Sequence, residues 1–422
     1  MDLSTFILIV NSLLYISAFV LFQRKRRAIQ LGSVVLAFYS LISIGAVLLY
    51  NSDFILFDFK EMTVFPFVYL YITLIISFLP ILLVTDDKII GIKMPSPKIM
   101  NWLSVAIIIV YLGYFFLNIL PNFSISNLFN PDMLSDNYDD KGEGMSGDGS
   151  PSILGLLKNV FGELIWVVLM YNWILGNKKL VIGLFFSLAV VVLNGLAYGG
   201  RVAMTAIVLQ IPFAFIVFRP LMSPEQKKTI KRLILVLVLF VLLAFGTLTF
   251  GRFGDKNFTI FDIVLYYFSS DFLMFNNFAL DPGACRYGDR VFPLVRSLLG
   301  LHTAEDFWDR RDEFPELELD DSQFSFFVGE FCIDFGPVFA FLLILLFSVL
   351  FYIKLKRDKY DLGDVLLTSF LYGLLMRGFT LFPYAEKSGN LKILYVIFFV
   401  WLFKFLTPKV DESQQNEAPL PS

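Results

Sequence analysis

Apolar runs of about 17–25 residues recur along this chain, each long enough to cross the roughly 30 Å hydrocarbon layer of a bilayer as a helix. Eleven are legible, at 2–22, 28–50, 67–84, 101–120, 153–175, 180–199, 202–219, 233–250, 334–353, 362–382 and 391–406. In hydrocarbon every backbone N–H and C=O needs a partner within the protein, so such runs become helices. The expected fold class is an all-α polytopic integral membrane protein with about 11 transmembrane helices. Composition agrees: 57% of the 422 residues are hydrophobic, 49 are Phe, and only 17% are charged, against about 25% in soluble domains. A soluble enzyme, a disordered chain and a disulfide scaffold are excluded. The lack of alternating ten-residue strands excludes an outer-membrane barrel. Run 2–22 has no basic leader and no small-residue cleavage site, so it reads as a retained helix.

Basic residues set the expected orientation. The connections after runs 1, 3, 5, 7 and 9 carry Arg24-Lys25-Arg26-Arg27, Lys88/Lys93/Lys98, Lys178-Lys179, Lys227/Lys228/Lys231/Arg232 and Lys354/Lys356/Arg357/Lys359. The alternate short connections carry Lys60, Lys141 and Lys387 alone. Positive-inside logic then puts the N-terminus outside and the polar tail inside.

Four regions follow: an N-terminal bundle of about eight spans over 1–250, a large outer loop over 251–333, three spans over 334–406, and a polar tail over 407–422. Segment 258–280 is apolar enough to span but carries Asp262, Ser269 and Asn276 at a spacing of seven, a polar stripe on one helical face. Were it a span, the later loops would invert, so an interfacial or re-entrant helix against the outer leaflet is expected. Residues 132–152 are rich in Gly, Asp and Ser and read as an outer connector or lid. Residues 283–323 mix charge with Phe307, Trp308, Phe314 and Pro315, which suggests a packed loop.

Candidate chemistry gathers on the expected outer side. Arg252, Arg286, Arg290, Arg296, Arg310 and Arg311 crowd one loop, with Lys256. Arg201 follows Gly199-Gly200 at a span start, and Arg377 lies about five residues inside the expected end of the tenth span. A guanidinium fork suits phosphate or diphosphate; the alternatives are snorkelling and pairing with nearby acids. Asp320, Asp321, Glu330, Asp334 and Asp271 supply carboxylates able to take a proton from a hydroxyl. Glu330 and Asp334 share a face if that helix begins early.

His302 and Glu305 have a spacing that could hold a metal, but no second His exists. A loop histidine or a proton carrier is the reading, and no metal is expected. Cys285 and Cys332 both fall on the outer side, and whether they pair is open. A net charge of −3 argues against nucleic acid, and no nucleotide-binding motif occurs. Any group transfer here needs a donor already activated in the membrane, and a lipid-linked sugar diphosphate is the obvious class.

Gly199-Gly200-Arg201, the large loop after span 8, Asp321-Ser322-Gln323-Phe324 running into Gly329-Glu330 and Asp334-Phe335-Gly336-Pro337, the basic inner hairpin and the late Arg377 carry a resemblance. The layout resembles the Wzy-type O-antigen polymerase family of lipopolysaccharide and capsule assembly. That resemblance implies a GT-C-like glycosyltransferase of the bacterial inner membrane with a periplasmic active site and no cofactor. It would join polyprenyl-diphosphate-linked oligosaccharide repeat units, donor and acceptor, beside a flippase and a chain-length regulator. Arg201, Arg252, Arg286, Arg290 and Arg377 would bind diphosphate, with Arg201 also catalytic, and Glu330 or Asp321 would orient or deprotonate the acceptor hydroxyl. Rival expectations are an O-antigen ligase, which shares topology and donor, a flippase or other transporter, and a non-enzymatic scaffold. Against transport, nearly all charges lie at the outer rim rather than in mid-membrane.

Overall fold

The computed structural model describes residues 2–26, 28–52, 59–122, 153–197, 202–253, 259–305, 307–317 and 325–407, without side chains at 202, 203, 244, 245, 247–253, 260, 307 and 308. Among these the regular structure is helical, apart from a single backbone bridge between Lys93 and Asp361. The elements are α1 (Leu3–Arg24), α2 (Leu31–Tyr50), α3 (Val64–Leu82), a single turn α4 (Asp86–Ile89) and α5 (Pro97–Tyr114). The chain continues through α6 (Ile153–Gly162), α7 (Ile165–Ile174), α8 (Lys178–Ala197), α9 (Val202–Phe218) and α10 (Pro224–Phe253). The last third holds α11 (Ile260–Met274), short α12 (Pro293–Leu298) and α13 (Phe307–Glu313), then α14 (Phe326–Leu355), α15 (Leu362–Arg377) and α16 (Glu386–Leu406).

Eight described helices are long and apolar enough to cross a membrane, and nine crossings result if α6 and α7, bent by 59° at their junction, form one span. The chain is thus an all-helical polytopic membrane protein. Helices α10 and α15 occupy the two remaining expected runs. The outward faces are apolar, as lipid requires: Phe339, Leu342, Leu346, Leu350 and Ile353 form one exposed stripe on α14, and Leu394, Ile397, Trp401 and Phe405 another on α16. Facing surfaces between helices use small residues, which let backbones approach. Ser12 donates to the Ser43 carbonyl at 2.8 Å where α1 meets α2, and Gly45 leaves room for Ser269 of α11.

The five basic connections lie together at one end of the bundle. Arg26 reaches the Leu82 carbonyl, Lys88 the Leu355 carbonyl, Arg219 pairs with Asp86 at 2.8 Å, Tyr171 donates to the Pro95 carbonyl, and Gln226 donates to the carbonyls of Trp173 and Ile174. The opposite end gathers residues 4–5, 51 and 60–63, where Thr5 meets Asn51 and Ser4 accepts from Met62 N.

Three expectations shift. Of the two expectations for segment 258–280, interfacial or re-entrant, the packing disfavours a helix resting on the bundle surface: α11 is packed into the bundle, with Ser269, Ser270 and Asp271 buried and Phe268 stacked on Phe379 at 5.5 Å. Its polar stripe serves that packing, because Ser269 fits the notch at Gly45 and Asn276 accepts from Thr63 N at 2.9 Å. The ninth run begins at Phe326, eight residues before 334, and kinks at Gly336, whose φ of 74° only glycine holds without strain, followed by Pro337. The tenth ends at Arg377 with Gly378 as cap, so Arg377 is the last residue of its helix rather than an interior one.

Candidate functional site

Two charged clusters form at the end of the bundle opposite the basic connections. The first is built by loop 283–300 folding over the early turns of α14. Early initiation of α14 sets Glu330 and Asp334 one turn apart on one face, and Arg286 lies across both. Its Nε donates to Asp334 Oδ1 at 2.7 Å and its Nη2 to Glu330 Oε2 at 3.0 Å, with side-chain exposures of 0%, 3% and 0% for Arg286, Glu330 and Asp334. Arg290 approaches Glu330 at 3.2 Å. The second Asp334 oxygen accepts from the backbone N–H of Arg290 and Val291.

The network extends outward. Asp289 receives Arg310 at 2.9 Å and lies 3.7 Å from Arg296, and Arg310 also grips Glu386 at 2.8 Å. Burial works against the charge of Arg310, yet Glu386 and Asp289 more than offset it and raise its pKa. Four cations, Arg286, Arg290, Arg296 and Arg310, thus meet four acids, Asp289, Glu330, Asp334 and Glu386. Tyr287, Phe326 and Glu386 are the described non-glycine residues held at positive φ. Tyr287 and Glu386 belong to the segments of this cluster and Phe326 opens α14 one turn before Glu330, and strained backbone of that kind persists only where the surroundings over-determine it.

The second cluster was not expected. Glu163 sits at the junction of α6 and α7 and accepts from Arg377 Nη2 at 3.0 Å. Tyr384 bridges the pair: its hydroxyl accepts from Arg377 Nη2 at 2.6 Å and donates to Glu163 Oε2 at 3.2 Å. The Arg377 guanidinium also lies 5.1 Å from the Tyr384 ring centre. Lys392 of α16 interacts electrostatically with both Glu163 and Arg377, so this cluster carries two cations against one carboxylate.

Between α14, α15 and α16 runs an apolar cavity of about 380 Å³, lined by Phe331, Phe351, Phe370, Leu371, Phe382 and Val396 among others. Its α14 wall starts at Phe327 and Phe331 before the kink and continues from Ile344 to Lys354 beyond it. Tyr384 belongs to the lining, so the second cluster touches one end of the cavity. Segment 384–390 joins the clusters: Glu386 N donates to the Arg290 carbonyl, and Asn390 donates to the carbonyls of Val291 and Tyr384. Gly389 permits this turn, because a Cβ there would strike the Tyr384 backbone.

Of the residues singled out from sequence, Arg286, Arg290 and Glu330 come together, and Arg377 lies in the other cluster. Arg201 and Asp321 fall outside the described residues, as do Gly199, Gly200, Asp320 and the 132–152 connector, and the side chain of Arg252 is not described. His302 does not close on Glu305; its Nε2 meets Glu313 Oε1 at 2.6 Å, with the imidazole 75% exposed. Among the described residues no His, Cys, Asp or Glu group is arranged to hold a metal. Cys285 and Cys332 are free thiols, and Cys332 lies 3.5 Å from the Tyr69 hydroxyl. Glu163 and Lys392 carried a signal in the sequence, each being an ionisable residue within an expected span. Tyr384 carried none. Comparison of the chain with protein-family models, curated proteins and solved structures finds no match.

Proposed function

We propose that this chain is a Wzy-type polysaccharide polymerase, a GT-C-like glycosyltransferase with eleven spans in a bacterial inner membrane. In this reading the N-terminus is periplasmic, the C-terminus cytoplasmic, and transfer between polyprenyl-diphosphate-linked oligosaccharides occurs at the periplasmic end. The observation that carries it is the apolar cavity ending at Tyr384, where Arg377, Lys392 and Glu163 converge. An apolar slot with a net positive end suits an amphiphile that has a long hydrocarbon tail and an anionic head.

The prenyl tail of the donor lies in the cavity, and its diphosphate meets Arg377, Lys392 and the Tyr384 hydroxyl. Arg201 remains a diphosphate ligand on sequence grounds. An acceptor hydroxyl attacks the anomeric carbon; the new C–O bond forms as the bond to the diphosphate oxygen breaks. Negative charge grows on the leaving diphosphate, so fixed cations there contribute most to lowering the barrier. The acceptor proton passes to a carboxylate. Glu330 is already engaged by Arg286 and Arg290. Glu163 is the better assignment, since the diphosphate competes for Arg377 and frees it.

The test is a deletion strain complemented with wild-type, Arg377→Gln or Glu163→Gln protein, with surface and polyprenyl-linked glycans run on gels. Wild-type restores a ladder, and both variants leave single repeats although the protein stays in the membrane. Long chains stranded on the lipid carrier would indicate a ligase, and repeats trapped on the inner leaflet a flippase. Full-length ladders in both variants would refute the site.

A further inference from the structure

Helices α2 and α3 contain no Asp, Glu, Lys or Arg, and α1 contains only Arg24, at its basic end. Beside these uncharged surfaces α11 places Asp271, which is 0% exposed. Among the described residues, neither of its carboxyl oxygens has a hydrogen-bond partner. The turn that carries it is held fast: the Phe272 ring lies 5.6 Å from Tyr15 of α1 and 4.8 Å from Phe326 of α14, and Ser269 fills the notch at Gly45.

Among the described residues, the ionisable groups around Asp271 are phenols. Tyr39 of α2 senses its charge, Tyr15 of α1 lies 6.2 Å from Tyr39, and Tyr71 of α3 lies 5.1 Å from Tyr15. Tyr39 gives its own proton to the Leu375 carbonyl at 2.9 Å, not to Asp271. On the other flank, Glu330 and Asp334 of α14 are bonded to Arg286, and Arg377 and Asp364 of α15 to Glu163 and to Lys354. Tyr15 Oη and both polar atoms of Asn11, one turn earlier on the same face of α1, are also buried without partners.

A carboxylate ionised in such a place carries a desolvation cost that no described neighbour offsets. We propose that Asp271 binds a compact unit positive charge, a proton or a small alkali cation such as sodium, with the neutral oxygens of Asn11 and Tyr15 in the same interface. Occupied, the site keeps α11 seated against α2; emptied, it leaves a charge that the interface does not accommodate. This site is independent of glycosyl transfer.

The experiment uses the full chain in lipid nanodiscs at neutral pH. Infrared spectra of wild-type and Asp271→Asn protein are compared, and thermal unfolding is followed in sodium and in choline chloride. A proton gives a protonated-carboxyl band that vanishes in Asp271→Asn, with unfolding indifferent to sodium. Sodium gives no such band, and a wild-type midpoint that rises with sodium while the variant's does not. Absence of both the band and the sodium effect overturns the proposal. Should Asp271→Asn not accumulate, Asp271→Glu in a chain labelled with ¹³C-carboxyl aspartate reads the same band, since the isotope shift is then lost.

Discussion

Arg286→Met should cost about 3 kcal/mol of folding free energy. Arg286 is fully buried between Asp334 and Glu330, and with Arg290 these make a group of two cations and two anions. Methionine fills much of the volume but leaves one cation against two buried carboxylates. Breaking a buried pair typically costs roughly 3–5 kcal/mol. The low end applies here because Asp334 keeps the N–H groups of Arg290 and Val291, and Glu330 keeps Arg290 at 3.2 Å. The double variant Arg286→Met/Asp334→Asn restores neutrality, so the two changes should couple favourably by about 1–3 kcal/mol. Equilibrium unfolding in SDS, followed by tryptophan fluorescence, measures both quantities. A single-variant cost below about 1 kcal/mol, or a double variant whose cost equals the sum of the two singles, would refute a compensated buried network.

Further outcomes follow from local geometry. Gly336→Ala places a Cβ at φ 74°, ψ 159°, a region nearly confined to glycine, and should cost about 1–3 kcal/mol in the same unfolding assay. Gly45→Ala drives a methyl into Ser269 and should cost about 1–3 kcal/mol; Ser269→Gly should recover most of that loss, and independent effects would contradict the contact. Burial, then the nearby Asp334 charge, raises the Cys285 thiol above its ordinary pKa. Less thiolate is present at pH 8, so alkylation there should be slower than for free cysteine and should keep climbing above pH 9. Buried Cys332 should stay unlabelled until unfolding, and rapid labelling of both thiols at pH 7 would contradict this packing.

The arginines of the long loop before α14 were legible as a cluster, but not as a neutralised one. Sequence places Arg286 and Arg290 some forty residues from Glu330 and Asp334; only the fold of loop 283–300 over α14 brings them within 3.2 Å. Glu163 and Arg377 are more than two hundred residues apart in the chain and meet because α6 and α7 break where α15 ends. The HxxE spacing at His302 forms no pair: in an exposed loop the backbone imposes no helical register, and His302 turns to Glu313.

By itself the sequence determined the membrane environment of the chain and which connections share one end of the bundle. Long apolar runs have one outcome in hydrocarbon, because each backbone polar group must be satisfied within its own helix. The alternation of basic connections is read in the same local way and recurs as one basic end of the bundle. Tertiary structure decided which charges are spent on one another and which remain at the cavity. It also decided that α11 enters the bundle instead of resting on its surface. Those outcomes depend on contacts between helices distant in sequence, where small residues such as Gly45 and a kink at Gly336 set how closely each surface can approach.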